Sequence, residues 1–154
     1  MHRSLLITGA SRGIGAAAAV LAAQRGWDVA INYTRDAAAA ESVAARVCAC
    51  GRRALVIQAD VSDEAAVLAM FAAVDREFGR LDGLVNNAGV VDQPARVDEM
   101  SLQRLTRMFA INLTGSFLCA QGAFRLMKGQ SPQGGRIINN GSISAHAPRP
   151  NSAP

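Results

Sequence analysis

The sequence predicts an α/β fold, a doubly wound parallel sheet with helices on both faces. Short apolar runs suited to strands alternate with Ala-rich stretches suited to helices along the chain. The run Ala54-Leu55-Val56-Ile57 is apolar at every position, as a parallel strand covered on both faces must be. Between the first strand and the first helix stand Gly9, Gly13 and Gly15. That spacing lets backbone approach something bulky and lets the helix pack close to the strand. The free N–H groups and positive end of the helix then face the turn, where phosphate binds favourably.

The elements follow in order. Leu5-Leu6-Ile7 is the first strand, and the helix from Gly13 to Arg25 stops at Gly26. Asp28–Tyr33 is the second strand, rich in β-branched and apolar residues. A helix over Asp36–Cys50 ends at Gly51, and Ala54–Gln58 is the third strand. Ser62-Asp63-Glu64 reads as a capped, acidic helix start, with the helix running to Phe78 and stopping at Gly79. Leu81–Gly89 reads as the fourth strand, ending in Asn86-Asn87-Ala88-Gly89. Val90–Met100 is a loop that turns at Gln93-Pro94. A long helical stretch runs from Ser101 through Asn112 to about Lys128, and a loop over 130–135 feeds the fifth strand, Arg136–Asn140. Gly141-Ser142-Ile143-Ser144 follows, and the residues from His146 to Pro154 are a proline-rich loop.

Composition narrows the function classes. The 154 residues are 50% hydrophobic and 18% charged, which predicts one domain over residues 1–154 and argues against disorder. No apolar run approaches the ~20 residues of a membrane helix. Residues 1–4 lead straight into a strand without a leader pattern, so a cytoplasmic protein is expected. The net charge of +4 is almost wholly arginine, with Lys128 the sole lysine. The arginines are scattered without interleaved aromatics, which argues against a nucleic-acid partner. Cys48, Cys50 and Cys119 have no paired spacing, so neither a zinc site nor a disulfide framework is expected.

Two motifs carry a resemblance. Thr8-Gly9-Ala10-Ser11-Arg12-Gly13-Ile14-Gly15 resembles the cofactor signature of the short-chain dehydrogenase/reductase family. Asn86-Asn87-Ala88-Gly89, at the end of the fourth strand, resembles that family's second signature. The resemblance implies the first five strands of a seven-stranded Rossmann-like fold. It also implies NAD(P)(H)-dependent hydride transfer between a carbonyl and a secondary alcohol on a small molecule. The flavour is closest to the 3-oxoacyl-(acyl carrier protein) reductase and glucose 1-dehydrogenase branch. Thr8 to Gly15 would hold the cofactor, excepting Ala10. Asp60 and Val61 would lie beside the adenine, and Asn87, Ala88 and Gly89 beside the cofactor, while Asn86 is structural.

The end of the second strand bears on cofactor choice. An acidic residue there would bond the ribose hydroxyls of NAD and repel the extra phosphate of NADP. Here the chain reads Asn32-Tyr33-Thr34-Arg35, and Arg12 sits in the glycine turn. Two guanidiniums suit a 2′-phosphate, so NADP is preferred with NAD possible, although Asp36 close by pulls the other way.

The catalytic residues follow from the resemblance. Asn112 would kink its helix and hold a water of the proton relay, against the plain reading of a solvent-facing or backbone-bonded Asn. Ser142 would donate to the substrate oxygen, with Ser144 its rival, and Gly141 stands where relatives more often carry serine. The family's Tyr-xxx-Lys pair begins thirteen residues after the serine, a position one beyond Pro154. The expectation is an incomplete reductase, inactive as given, with its fifth strand an exposed edge that makes the chain associate. Full-length members often pair as dimers or tetramers through helices of this region. The alternatives are a non-catalytic dinucleotide-binding or regulatory module that ends here, and a structural α/β domain without ligand.

Overall fold

The computed structural model describes residues 3–147, so the expected proline-rich segment beyond Ala147 lies outside the described residues. Five strands are present: Arg3–Ile7 (β1), Trp27–Tyr33 (β2), Ala54–Gln58 (β3), Gly83–Asn86 (β4) and Arg136–Asn139 (β5). They form one wholly parallel sheet in the order β3-β2-β1-β4-β5. The helices are Gly13–Gln24 (α1), Ala37–Ala49 (α2), Glu64–Phe78 (α3), Leu102–Phe109 (α4) and Ser116–Gly129 (α5). This is the doubly wound, Rossmann-like architecture that the strand–helix alternation predicts.

Successive residues of β1 to β4 serve opposite cores, because side chains alternate across the sheet. Leu6, Ala30 and Leu84 join Met70, Phe71, Cys119 and Ala123 on the α3/α5 face. Ile7, Val29 and Ile31 join Ala19, Val43 and Val47 on the α1/α2 face. Helices α3 and α5 approach closely at Gly122, where an added Cβ would stand 2.5 Å from the Phe71 ring.

The helix ends obey local chemistry. Asp36, Asp63 and Ser101 cap α2, α3 and α4 with side-chain oxygens. Gly79 ends α3 in the left-handed conformation, φ 69°, returning its N–H to the Asp75 carbonyl.

The strands' N-terminal edge is held by charge. Asp28, fully buried, accepts from the guanidiniums of Arg52 and Arg53 and from the Arg53 N–H. Burial alone would raise the Asp28 pKa, but those hydrogen bonds outweigh it and hold the carboxyl below its ordinary range. Asp82 behaves likewise, with burial opposed by Arg80 and the Ser4 N–H, and its pKa is lowered too.

One sequence expectation is refined and another corrected. The long helical stretch from Ser101 to Lys128 is divided by a π-helical turn over Ala110–Gly115, around the Asn112 where a kink is expected. The wider turn lets Asn112 reach sideways to the loop, and Ser116 Oγ donates to the Asn112 carbonyl at 3.1 Å. The loop over 90–100 does not turn at Gln93-Pro94. That stretch holds neither a turn nor a bend, and the turn is a 3₁₀ segment at Val97–Glu99. The physical reason is side-chain anchoring, since Arg104 Nη2 donates to the Gln93 carbonyl at 2.5 Å and Asn112 binds the backbone of Val90.

The β5 strand lies at the edge of the described sheet, with Ile138 56% exposed. Phe109, Leu113, Phe117 and Phe124 are exposed along α4, the π turn and α5.

Candidate functional site

A cleft of about 920 Å³ opens where β1 to β4 end, at the C-terminal edge of the sheet. That edge is where open α/β sheets bind ligands, and the volume falls toward the upper end of ordinary small-molecule sites, roughly 300–1,000 Å³. Its floor is the glycine turn. Gly9 has φ +61°, and a Cβ there would stand 3.0 Å from the Ala88 backbone. Gly15 answers a different need. A Cβ on it would lie 2.6 Å from both Asn87 Nδ2 and the Gly9 carbonyl, so only glycine lets α1 start this close to β4.

Helix α1 begins without a side-chain cap at Arg12, unlike α2, α3 and α4. Its first N–H groups therefore face the cleft through Arg12, Gly13 and Ile14, with the positive end of the helix behind them. Ile14 is 70% exposed there, an apolar side chain held in the open.

Most of the expected cofactor residues meet in this cleft. Gly9, Ser11, Arg12, Gly13 and Ile14 form one side, Tyr33, Thr34 and Arg35 a second, and Asp60 with Val61 a third. Asn87, Ala88 and Gly89 close it from the β4 end. Thr8, Gly15 and Asn32 do not line it. Thr8 and Asn32 are both 1% exposed and hold the walls instead. Asn32 Oδ1 accepts the Gly9 N–H at 3.1 Å, and its Nδ2 donates to the Ala59 carbonyl at 2.9 Å. Thr8 Oγ1 accepts the N–H groups of Asn87 and Ala88. These residues shape the cleft from beneath.

The electrostatics favour an anion. Arg12, Arg35 and Arg107 line the cleft, and none of them pairs with a carboxylate among the described residues. Both acids there are already engaged. Asp36 caps α2 through the Ala39 N–H, and Asp60 Oδ1 accepts from the N–H and hydroxyl of Ser62.

Asn112 and Ser142 stand outside the cleft lining. The Asn112 amide clamps Val90, accepting its N–H at 2.8 Å and donating to its carbonyl at 2.9 Å. Ser142 is exposed and starts a short 3₁₀ turn, its Oγ accepting the Ser144 N–H at 3.1 Å. Asn86 is turned away toward α5, donating to the Ser116 carbonyl and to Asn139 Oδ1, each at 3.0 Å.

Sequence reasoning missed Arg107, Ala110, Ile111 and Asn140, all cleft residues. Arg107 shares a helix face with Ala110 and Ile111 at three and four residues' distance, a signal that was legible. Asn140 carried no such signal: it meets Asn87 only because β5 pairs with β4, Asn139 opposite Asn86.

Comparisons with known proteins give the family and the fold. Residues 3–154 match the family model for short chain dehydrogenase. An uncharacterized oxidoreductase, YgfF, of Escherichia coli (strain K12) is 41% identical over 146 residues, covering 94% of this chain and 59% of the relative. A 3-oxoacyl-[acyl-carrier-protein] reductase of Synechocystis sp. is 38% identical over 148 residues, 96% of this chain and 59% of the relative. The crystal structure of an NAD+-bound xylitol dehydrogenase superposes with a TM-score of 0.91 at 33% identity, covering 97% of this chain and 56% of that one. The chain thus spans less than two thirds of the length of the curated relatives it matches. Among the described residues, no helix is long and apolar enough to cross a membrane.

Proposed function

The chain belongs to the short-chain dehydrogenase/reductase family, an oxidoreductase family, and from that premise we propose that it is the dinucleotide-binding part of an NADP(H)-dependent carbonyl reductase or alcohol dehydrogenase. The observation that carries the proposal is the uncapped start of α1 over the glycine turn, in a cleft whose three arginines have no carboxylate partner among the described residues. The residues present fit a dinucleotide. The N–H groups at Arg12 to Ile14 would receive the pyrophosphate, and the open space at Gly13, where a Cβ would meet nothing within 4 Å, leaves room for it.

Arg35, beside Tyr33 and Thr34, would hold the 2′-phosphate together with Arg12. Asp36 keeps its charge while it caps α2 through the Ala39 N–H, and Arg12 and Arg35 outnumber it there. Asp60 and Val61 would flank the adenine. Asn87, Ala88 and Gly89 would carry the middle of the cofactor.

When bound, the nicotinamide supplies the hydride chemistry. The chain's own part is orientation. Ser142 Oγ accepts from Ser144, which fixes the hydroxyl and leaves its proton free to donate to a substrate oxygen. The Asn112 amide is committed to Val90, so a relay water would be held by its main-chain carbonyl in the widened turn. The exposed phenylalanines of α4 and α5 support homo-oligomer formation.

Calorimetric titration with NADPH and NADH tests the reading. Saturable binding of both, tighter for NADPH, is expected. No binding of either would overturn it.

A further inference from the structure

We propose that Asn140 is a cofactor-contact residue that meets the carboxamide of the nicotinamide ring, an inference that rests on the dinucleotide reading above. The parallel pairing of β4 with β5 sets two amide pairs side by side, with Asn86 opposite Asn139. Because successive side chains leave a strand on opposite faces, the two pairs part company. Asn86 and Asn139 bond each other on the α5 side, at 3.0 Å. Asn87 and Asn140 bond each other on the cleft side, also at 3.0 Å.

In that second pair the donor and acceptor are assigned by what lies behind them. Asn87 Nδ2 is used on the carbonyls of Thr8 and Gly9, so its Oδ1 is the atom presented to Asn140. Asn140 must then turn its Nδ2 toward Asn87. Its backbone is pinned as well, the Asn140 N–H donating to the Asn86 carbonyl at 2.9 Å. The amide plane is thereby oriented, leaving Oδ1 and one N–H of Asn140 without a partner among the described residues while the residue lines the cleft. A free acceptor and a free donor in one plane match a ligand carboxamide, which offers the reverse pair.

The position along the cleft fixes which carboxamide. Tyr33, Arg35 and Asp60 belong to the β2 and β3 ends, the glycine turn to the middle, and Asn140 to the β5 side, two residues before Ser142. A dinucleotide laid across the glycine turn with its adenosine toward β2 places its nicotinamide at Asn140.

The test is calorimetric titration of the chain and its Asn140→Ala variant with NADP+, with 2′,5′-ADP, which has no nicotinamide, and with the 3-acetylpyridine analogue of NADP+, which lacks the amide N–H groups. Asn140→Ala should weaken NADP+ roughly three- to tenfold, the worth of one or two hydrogen bonds, and leave 2′,5′-ADP within about twofold. The analogue should bind the unsubstituted chain more weakly than NADP+, and lose less than NADP+ does on substitution. Intact 2′,5′-ADP binding also reports that the variant is folded. Equal weakening of NADP+ and 2′,5′-ADP would overturn the proposal, because Asn140 would then act only through Asn87 on the glycine turn. Unchanged NADP+ affinity would overturn it too. If the unsubstituted chain bound none of the three ligands, the dinucleotide reading itself would fall and this proposal with it.

Discussion

Thr8 and Asn87 are locked to each other in both directions. Thr8 Oγ1 accepts the Asn87 N–H at 3.0 Å and that of Ala88 at 2.9 Å, while Asn87 Nδ2 donates to the Thr8 carbonyl at 2.9 Å. This exchange joins the end of β1 to the end of β4, so the two signature motifs are one structural unit. It also explains why a polar residue sits buried under the cleft.

Thr8→Val should therefore be costly although the shapes match. Two N–H groups would lose their shared acceptor, and a loss of about 2 kcal/mol or more is expected. Urea denaturation monitored by circular dichroism checks it. An unchanged midpoint would mean that the hydroxyl is dispensable.

Gly15→Ala attacks the same joint from α1. The new Cβ must displace Asn87 Nδ2 and the Gly9 carbonyl, each 2.6 Å away. An overpacking cost of about 1–3 kcal/mol is expected, although alanine is the better helix former. NADPH affinity should fall with it, because the displaced groups shape the turn. A rise in melting temperature would contradict the packing argument.

Arg35→Ala separates phosphate recognition from the rest of the site. Loss of a charge-assisted contact should weaken NADPH by roughly 10- to 100-fold and leave NADH nearly unchanged. Arg12→Ala should show the same selectivity. Equal NADPH and NADH affinities in the parent and in the Arg35→Ala chain would refute the contact.

The strands were readable because buried parallel strands are apolar runs, and the glycine stops because a left-handed helix end favours glycine. What could not be read was tertiary. The π turn exists because Asn112 must reach Val90, a residue 22 positions earlier. Thr8 is a cofactor residue by the resemblance of its glycine motif, and Asn32 by its place at the end of the second strand, where cofactor choice is made. Their partners, Asn87, Gly9 and Ala59, become neighbours only once the sheet is formed. Asn140 reads as an ordinary last strand residue until β5 is paired in register with β4.

The three cysteines should differ sharply in reactivity. Cys119 is wholly buried in the α3/α5 core, and burial pushes its thiol pKa up to about 12. Cys48 is exposed. At pH 8 a disulfide reagent such as Ellman's should modify Cys48 readily and Cys119 only after unfolding. Mass spectrometry of the modified, digested protein reads the sites directly. Rapid native labelling of Cys119 would show that α5 opens away from the sheet.

Asp28 should make the fold sensitive to acid. Its pKa is lowered in the folded chain, so the ionised carboxylate stabilises the fold above the ordinary carboxylate range, near pH 3.9. That stabilisation is lost as pH falls through the lowered folded value. Asp28→Asn removes the charge at every pH and strands the guanidinium of Arg52, whose side chain is only 15% exposed. A cost of about 2–3 kcal/mol is expected near pH 7, at or below the low end for a broken buried pair because Arg53 is half exposed and can turn to water. The gap between parent and variant should then narrow as the pH is taken below about 4, where the carboxylate of the unfolded parent takes up a proton before that of the folded one. Urea midpoints at pH 7, 5 and 3 measure this. A gap that stayed constant from pH 7 to 3 would show that Asp28 contributes through the shape of its hydrogen bonds and not through its charge.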